Sequence, residues 1–344
     1  MQLTRLSLTN FRNFARMDAF VPDGTILIVG DNAQGKTSIL EAIYFLATLS
    51  SFHASSDREM VNLIAGQEKL AVARIIGEFK KGNTSHRLEV RIIQEKNGLG
   101  SGRVRKEVLL DGVKKRAREA IGAFNAVLFL PQMMQVIEGP PDERRRYLDM
   151  AISQVVPQAA SALLEYGKVV SQRNALLKQL VETPAFDPMP APQNQPALLY
   201  SPPDRSQLTQ EKIETDFLQA LKDNRRMEIA RGVTTIGPHR DDLSFISNGI
   251  DMGTYGSRGQ VRTAMMTMKL AEMHWMQEKT GYWPVLLLDE VLAELDEHRR
   301  ADLMGRVSQS KQSLLTTTDV HLFDPQRVAE WQQWQIHAGT LTED

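Results

Sequence analysis

Gly30-Asp31-Asn32-Ala33-Gln34-Gly35-Lys36-Thr37 fits G-x-x-x-x-G-K-[ST], the spacing at which successive backbone N–H groups can wrap a phosphate. Glycines at 30 and 35 let such a loop curl, Lys36 would reach the β- and γ-phosphates, and Thr37 Oγ would take a place on Mg2+. Asn32 and Ser38 complete the expected phosphate-side set for a nucleotide. Far downstream, Pro284-Val285-Leu286-Leu287-Leu288-Asp289-Glu290 is an apolar run ending in two acids. Beside a phosphate loop, Asp289 is expected to face Mg2+, directly or through water, and Glu290 to polarise an attacking water. Tyr255-Gly256-Ser257-Arg258-Gly259-Gln260 is a second small-residue loop opening a helix. Its spacing suits either an anion site or a helix cap built on Ser257.

The elements that must carry these residues follow from periodicity. Thr25–Val29 reads as a strand and Ser38–Leu46 as a helix, which is the strand–loop–helix context the phosphate loop needs. Gln2–Leu8 alternates like a strand and runs into a turn at 10–14 holding Phe11 and Phe14. Leu70–Phe79, Arg87–Gln94 and Arg105–Leu110, joined through Gly82-Asn83 and Asp111-Gly112, predict an antiparallel meander beside the nucleotide-binding sheet. A short buried strand, Val127–Leu130, leads to Pro131 and Gln132. Helices are expected over Asp142–Gln154, Gln158–Leu180 and Gln207–Ala230, with a Pro-rich exposed linker at 183–203. Strands are expected again at Gly232–Ile236 and Leu243–Ser247, the latter turning at Asn248-Gly249. Val261–Lys279 reads as a helix with Val261, Ala264, Met265, Met268 and Trp275 on one face, stopped by Gly281. The expected fold is α/β, a mixed-sheet nucleotide-binding head from residues 1–131 and 232–344, with a helical lobe at 132–231 inserted.

Composition narrows the function. The chain of 344 residues contains no cysteine, which excludes disulfides, thiolate metal sites and cysteine nucleophiles. No apolar run approaches the ~18 residues of a membrane span and no signal pattern opens the chain, so a soluble, cytoplasmic protein is expected. With 41 basic against 42 acidic residues, any nucleic-acid contact must be a local patch. The candidate DNA-binding patch is Arg103, Arg105, Lys106, Lys114, Lys115, Arg116 and Arg118. Arg144-Arg145-Arg146 is expected instead to tie the helical lobe together or receive acidic partners, and His239-Arg240-Asp241-Asp242 to form a salt-bridge corner, not a metal site. The methionines of 265–276 read as core, and His321 as a surface residue.

The order of these motifs resembles that of ATP-binding-cassette ATPases. Leu6-Ser7-Leu8-Thr9-Asn10-Phe11-Arg12-Asn13-Phe14, Gly139-Pro140-Pro141 with Arg144–Asp149, Gln172–Lys178, Gly237-Pro238-His239-Arg240-Asp241-Asp242-Leu243 and Gly259-Gln260 with Arg262-Thr263 are similar to the RecF recombination-mediator family within the SMC-like group. That resemblance implies an ATP-dependent homodimer on duplex DNA near single-strand gaps, slow ATP hydrolysis with Mg2+, and work with RecO and RecR to load RecA. It implies further that Gln132 reaches Mg2+ and the water, that Ser257, Gly259 and Gln260 serve the nucleotide of the second subunit, and that Asp296 lies at the dimer seam. Arg12 would contact the phosphates. Three positions depart from the family pattern: Asp289-Glu290 where Asp-Asp is frequent, Arg258 in the serine loop, and a short helical insertion. The rival reading, an ATPase subunit of a membrane transporter, predicts a Leu-Ser-Gly-Gly-Gln-type loop and a switch histidine, and neither is present.

Overall fold

The strand-like alternation of the first residues builds a sheet different from the one that carries the phosphate loop. In the computed structural model, which describes residues 1–96, 102–182, 209–308 and 310–343, β1 (Gln2–Phe11) and β2 (Phe14–Phe20) join the meander instead. The meander strands are β4 (Leu70–Lys81), β5 (Thr84–Lys96), β6 (Gly102–Leu110) and β7 (Val113–Lys115). Among the described residues they form an antiparallel sheet of order β2-β1-β4-β5-β6-β7. The phosphate-loop strand β3 (Gly24–Val29) lies in a second sheet with β8 (Ala126–Phe129), β11 (Val285–Asp289), β12 (Gln312–Thr317), β13 (Gln332–His337) and β14 (Thr340–Glu343). Its order is β14-β13-β3-β12-β11-β8, parallel except for β14.

The helix after the phosphate loop, α1 (Lys36–Thr48), lies between the two sheets. Ile39, Ile43 and Phe45 share one core with Leu6, Leu8, Ile75 and Val90 of the first sheet and Ile26, Ile28 and Leu314 of the second. That is why 39–48 reads as nearly continuous apolar sequence and not as an amphipathic stripe. Strands β3, β8 and β11 are likewise mostly apolar because the middle of this sheet is covered on both faces. Leu27, Leu286, Leu288 and Leu315 point the other way, onto α9 (Arg258–Thr280) through Val261, Met265, Met266, Met273 and Met276.

Short helices α2 (Ala117–Ala120) and α3 (Gln135–Glu138) flank β8. Helices α4 (Pro141–Val155), α5 (Ala159–Glu182), α6 (Gln210–Asp223) and α7 (Arg225–Arg231) follow, the break at Pro157 falling where expected. The Pro-rich stretch 183–203 lies outside the described residues. One helix expected over Gln207–Ala230 is two, divided at Asn224.

The strand expected at Gly232–Ile236 is absent, for a specific reason. Gly232 ends α7 in the left-handed region, the Val233 amide donates back to Glu228 O at 3.2 Å, and the two following amides are taken by side chains. Thr234 N–H donates to Asn174 Oδ1 at 2.7 Å and Thr235 N–H to Glu228 Oε1 at 2.7 Å. Arg173 closes the network, donating to Glu228 Oε2 at 2.6 Å and to Thr234 Oγ1 at 2.7 Å. Glu228 is fully buried, so its charge is tolerated only with these partners. A Glu228→Ala protein should lose about 3 kcal/mol of stability in a urea titration. An unchanged midpoint would show the network to be ornamental. The next expected strand shrinks to β9 (Ile246–Ser247), paired with β10 (Ile250–Asp251) around Asn248-Gly249, both at positive φ. The four-residue α8 (Met252–Tyr255) leads into the serine loop, and α10 (Glu297–Val307) and α11 (Pro325–Glu330) precede β12 and β13 respectively.

The buried side of α9 also differs from expectation. Lys269 and Glu272 lie on it, paired at 2.9 Å, while Met268 and Trp275 are only partly buried. Glu272 accepts the Tyr147 hydroxyl at 2.7 Å, and the Lys269 ammonium sits 4.3 Å from the Tyr147 ring centroid. Burial first, then the Glu272 charge, pushes the Tyr147 phenol far above its ordinary value. Mutual neutralisation lets two charged residues occupy positions that a polarity pattern assigns to solvent.

Candidate nucleotide-binding site

Three adjacent parallel strands bring the two sequence motifs together. Pairing of Thr316 with both Ile28 and Asp289 sets the ends of β3, β12 and β11 side by side under the loop 30–37. Thr37 Oγ1 lies 3.0 and 2.9 Å from the two Asp289 oxygens, and Thr316 Oγ1 donates to Asp289 Oδ1 at 2.6 Å. Hydroxyl and carboxylate together make a hard-oxygen donor pair that suits Mg2+. Lys36, 4% exposed, donates to Gly30 O at 2.7 Å and Asp31 O at 3.0 Å, and pairs with Glu290 Oε1 at 3.1 Å. The Glu290 amide is held by Thr316 Oγ1 at 3.0 Å, and the residue adopts φ 49, a left-handed conformation costing about 1 kcal/mol for a side chain of this kind.

The loop glycines have separate tasks. Gly35 has φ 118, and a Cβ there would lie 2.5 Å from Asn13 Nδ2. Gly30 has no such backbone need; a Cβ at 30 would lie 2.6 Å from Ile336 O of β13. The curl expected of both glycines is needed at Gly35, whereas Gly30 makes room for a neighbouring strand.

The β1–β2 hairpin delivers Arg12 and Asn13 to the same place. Arg12 forms a fork on Glu41 of α1, Nε to Oε2 and Nη2 to Oε1, each at 2.7 Å, and donates to Glu59 O at 3.0 Å. Asn13 Nδ2 donates to Gln34 O at 2.7 Å. Arg12, Asn32, Gly35, Lys36, Thr37, Ser38 and Glu290 line one cleft of about 720 Å3, the volume of a nucleotide-sized ligand site. Sequence reasoning missed its other wall, Arg58, Glu59, Val61 and Leu63. A signal was present: Ser56-x-x-Glu59 has capping-box spacing and forms one. Attachment of that turn to the hairpin, through Arg12 N–H to Met60 O at 2.9 Å and Asn62 Nδ2 to Arg12 O at 2.7 Å, had no local signature.

Other expected residues lie elsewhere. Gln132 is exposed in the turn after β8, which pairs with β11; it does not line the cleft. Ser257 caps α9 in a reciprocal box with Gln260, Oγ accepting at 3.3 Å and the Ser257 amide donating to Gln260 Oε1 at 2.9 Å. Asp296 caps α10 and pairs with Arg299 at 3.1 Å, and the Arg299 guanidinium lies 3.2 Å from where a Cβ on Gly259 would be. Ser257, Gly259, Gln260 and Asp296 therefore gather at one exposed place, none of them on the cleft.

Of the basic candidates, Arg103, Arg105 and Lys114 share the solvent face of the first sheet, Lys115 is exposed at the end of β7, and Arg116 and Arg118 continue beyond it. Lys106 must be removed from the set. It points to the core side, donating to Leu49 O at 2.7 Å, pairing with Asp57 at 3.0 Å and lying 4.7 Å from the Phe45 ring centroid. Arg144 forks onto Asp242 at 2.6 and 2.9 Å, and Arg145 donates to Asp241 O at 2.8 Å. His239 takes the Tyr166 hydroxyl on Nδ1 at 2.6 Å and meets Thr234 O with Nε2 at 3.2 Å.

Burial above all lowers the His239 pKa, so the folded ring resists protonation. The unfolded chain binds a proton near the ordinary value of 6.5. Stability from this group is thus complete above that value and lost as pH falls below it. A His239→Gln protein should show a shallower decline of urea midpoint between about pH 7 and about pH 5.5 than the parent; parallel curves would remove His239 as the cause.

The chain matches the model of the RecF/RecN/SMC N-terminal domain over residues 2–328. It is 35% identical to the DNA replication and repair protein RecF of Halalkalibacterium halodurans, with 99% of each chain covered. The chain belongs to the RecF family. RecF of Roseiflexus castenholzii is 36% identical, again over 99% of both chains. The solved recombination mediator protein RecF-ATPrS in the RecFOR pathway superposes with a TM-score of 0.80 at 26% identity, covering 99% of this chain and 97% of that one. The corresponding RecF-ATP structure gives 0.76, also at 26% identity. The RecF fold, an SMC-like α/β ATPase architecture, thus extends over the whole described chain, including the β13–β14 hairpin beyond the matched domain.

Proposed function

We propose that this chain binds ATP with Mg2+ in the cleft between the β1–β2 hairpin and the phosphate loop, and hydrolyses it slowly. The observation that carries this is the convergence of two adjacent pairs, Thr37 with Asp289 and Lys36 with Glu290, from segments about 250 residues apart. Thr37 and Asp289 would hold the metal, with Gln132 joining from the neighbouring strand end; when bound, Mg2+ neutralises charge on the phosphates. Lys36 exchanges Glu290 for the γ-phosphate, which frees the Glu290 carboxylate to accept a proton from water. Arg12, held ready on Glu41, gives the phosphates a second cation.

Exposure of Ser257, Gln260 and Asp296, with half-buried Gly259 beside them, away from the cleft fits a sandwich in which a second copy presents them to this nucleotide. Residues 132–231 act as an inserted helical lobe. Duplex DNA near single-strand gaps is the substrate surface, reached partly through Arg103, Arg105, Lys114, Lys115, Arg116 and Arg118. Work in the cytoplasm with RecO and RecR toward loading of RecA completes the reading.

Sedimentation with and without ATP–Mg2+, in the presence and absence of a gapped duplex, tests it. Dimers that hold the duplex only with ATP are expected. ATP binding with neither a dimer nor a DNA complex would refute the clamp and leave the nucleotide site standing.

A further inference from the structure

Beyond the 103–118 cluster, the outer face of the first sheet has an unusual charge arrangement. Arg74 on β4 stands directly opposite Arg91 on β5, a like-charge pair of the kind that destabilises a sheet. Glu89, two residues along β5 and only 7% exposed at its side chain, receives both guanidiniums. Arg74 donates from Nε and Nη2 at 2.7 and 3.0 Å, and Arg91 from Nε at 2.6 Å. Arg87 approaches the same carboxylate at 3.5 Å. Burial alone would raise the Glu89 carboxyl, but these bonds outweigh it and hold its pKa below the ordinary value. One buried anion thus fixes three arginines whose side chains stay 37–47% exposed.

The next strand extends the arrangement in register. Arg91 pairs with Glu107, Ile93 with Arg105 and Glu95 with Arg103. Glu107 already serves Arg105 at 3.5 Å and Lys114 at 2.9 Å. Cations therefore outnumber carboxylates seven to four across β4–β7 of this face: Arg74, Lys80, Arg87, Arg91, Arg103, Arg105 and Lys114 against Glu78, Glu89, Glu95 and Glu107. The whole chain, by contrast, has a formal net charge of −1. Like charges set against one another weaken a sheet, so fold stability alone gives no reason to gather the excess on one face.

We propose that this face, centred on the Glu89-held arginines Arg74, Arg87 and Arg91, is a docking surface for the phosphate backbone of duplex DNA. Charge complementarity selects the partner: a regular polyanion matches a rigid, two-dimensional array of guanidiniums that carry no base-reading geometry. Backbone binding of this sort is insensitive to sequence and steep in salt. The proposal rests on the DNA-binding reading above and adds a surface to it.

The test is duplex binding by the full chain with ATP–Mg2+, followed by fluorescence anisotropy over a KCl series. It compares the parent with Arg74→Gln/Arg91→Gln and with Arg74→Lys/Arg91→Lys. The Gln pair should weaken binding at least about tenfold and flatten the log–log salt slope by about two, one for each lost phosphate contact. The Lys pair should keep most of the slope, because phosphate needs the charge and not the fork. Thermal melting of both pairs checks the fold, and the Arg103→Gln/Arg105→Gln protein, outside the Glu89 cluster, should flatten the slope independently. If the parent binds duplex and the Arg74/Arg91 and Arg103/Arg105 Gln pairs bind it equally with unchanged slope, the surface is wrong while the DNA-binding reading survives. If those pairs lose polyglutamate binding instead of DNA, the face serves an acidic protein segment and the proposal is overturned. If the parent binds no duplex at any salt, the broader reading fails, and this surface with it.

Discussion

A Glu290→Gln protein should bind ATP at least as tightly as the parent, hydrolyse it at least about a hundredfold more slowly, and accumulate as an ATP-bound dimer. The geometry accounts for each part. Glu290 is aimed back at the phosphate loop by its left-handed backbone and by the Thr316 hydroxyl on its amide. Its carboxylate lies 3.1 Å from Lys36, so in the free protein it competes with phosphate for that ammonium. The amide of glutamine keeps the shape but cannot take a proton from water, and it holds Lys36 less strongly. Affinity and turnover should therefore move in opposite directions. Single-turnover hydrolysis together with sedimentation measures both. A variant that turns over at the parental rate would remove Glu290 as the base, and a monomer with ATP bound would count against the sandwich.

Loss of ATP binding is the expected result for Lys36→Ala, by at least about a hundredfold, or roughly 3 kcal/mol at 25 °C. Truncation removes the cation and also strips Glu290 of its ion-pair partner, leaving an unpaired negative charge on the wall that must receive a triphosphate. Gly30 O and Asp31 O lose a donor as well, costing about 1 kcal/mol each in loop stability. Lys36→Arg should rescue little, since a planar fork does not fit a 4%-exposed site built around a point charge. Titration of a fluorescent ATP analogue, with a thermal melt to check folding, decides the matter. Parental affinity in the alanine variant would place the nucleotide somewhere other than this cleft.

The nucleotide motifs were legible because each is local. Residues 30–37 carry their own loop chemistry, and Val285–Glu290 carries a buried strand with its acids at the end. A shared site could be inferred because a phosphate loop and a strand ending in acids so often work together. The turns at Gly82-Asn83, Asp111-Gly112 and Asn248-Gly249 and the stop at Gly281 were likewise set by residues that tolerate left-handed backbone. Harder to read were charges that neutralise each other across distant segments. Lys269 and Glu272 face the core because Tyr147 meets them there, and Gly232–Ile236 fails to be a strand because Asn174 and Glu228 take its amides. Lys106 looked like part of a DNA patch until strand alternation and Asp57 turned it inward.

By itself, then, the sequence determined which groups are available: a phosphate-loop motif, an apolar strand ending in two acids, and a serine loop, with a family resemblance that the full-length relatives bear out. Tertiary structure alone decided the assignments between segments. It set Gly30 against Ile336 of β13, placed Arg12 on Glu41, kept the Ser257–Asp296 group off the cleft, and gathered Arg74, Arg87 and Arg91 on Glu89. The physical reason is the range of the interaction. Backbone conformation and hydrophobic period act over a few residues and leave a pattern in sequence, whereas an ion pair or a close approach needs only two groups that meet after the chain has folded.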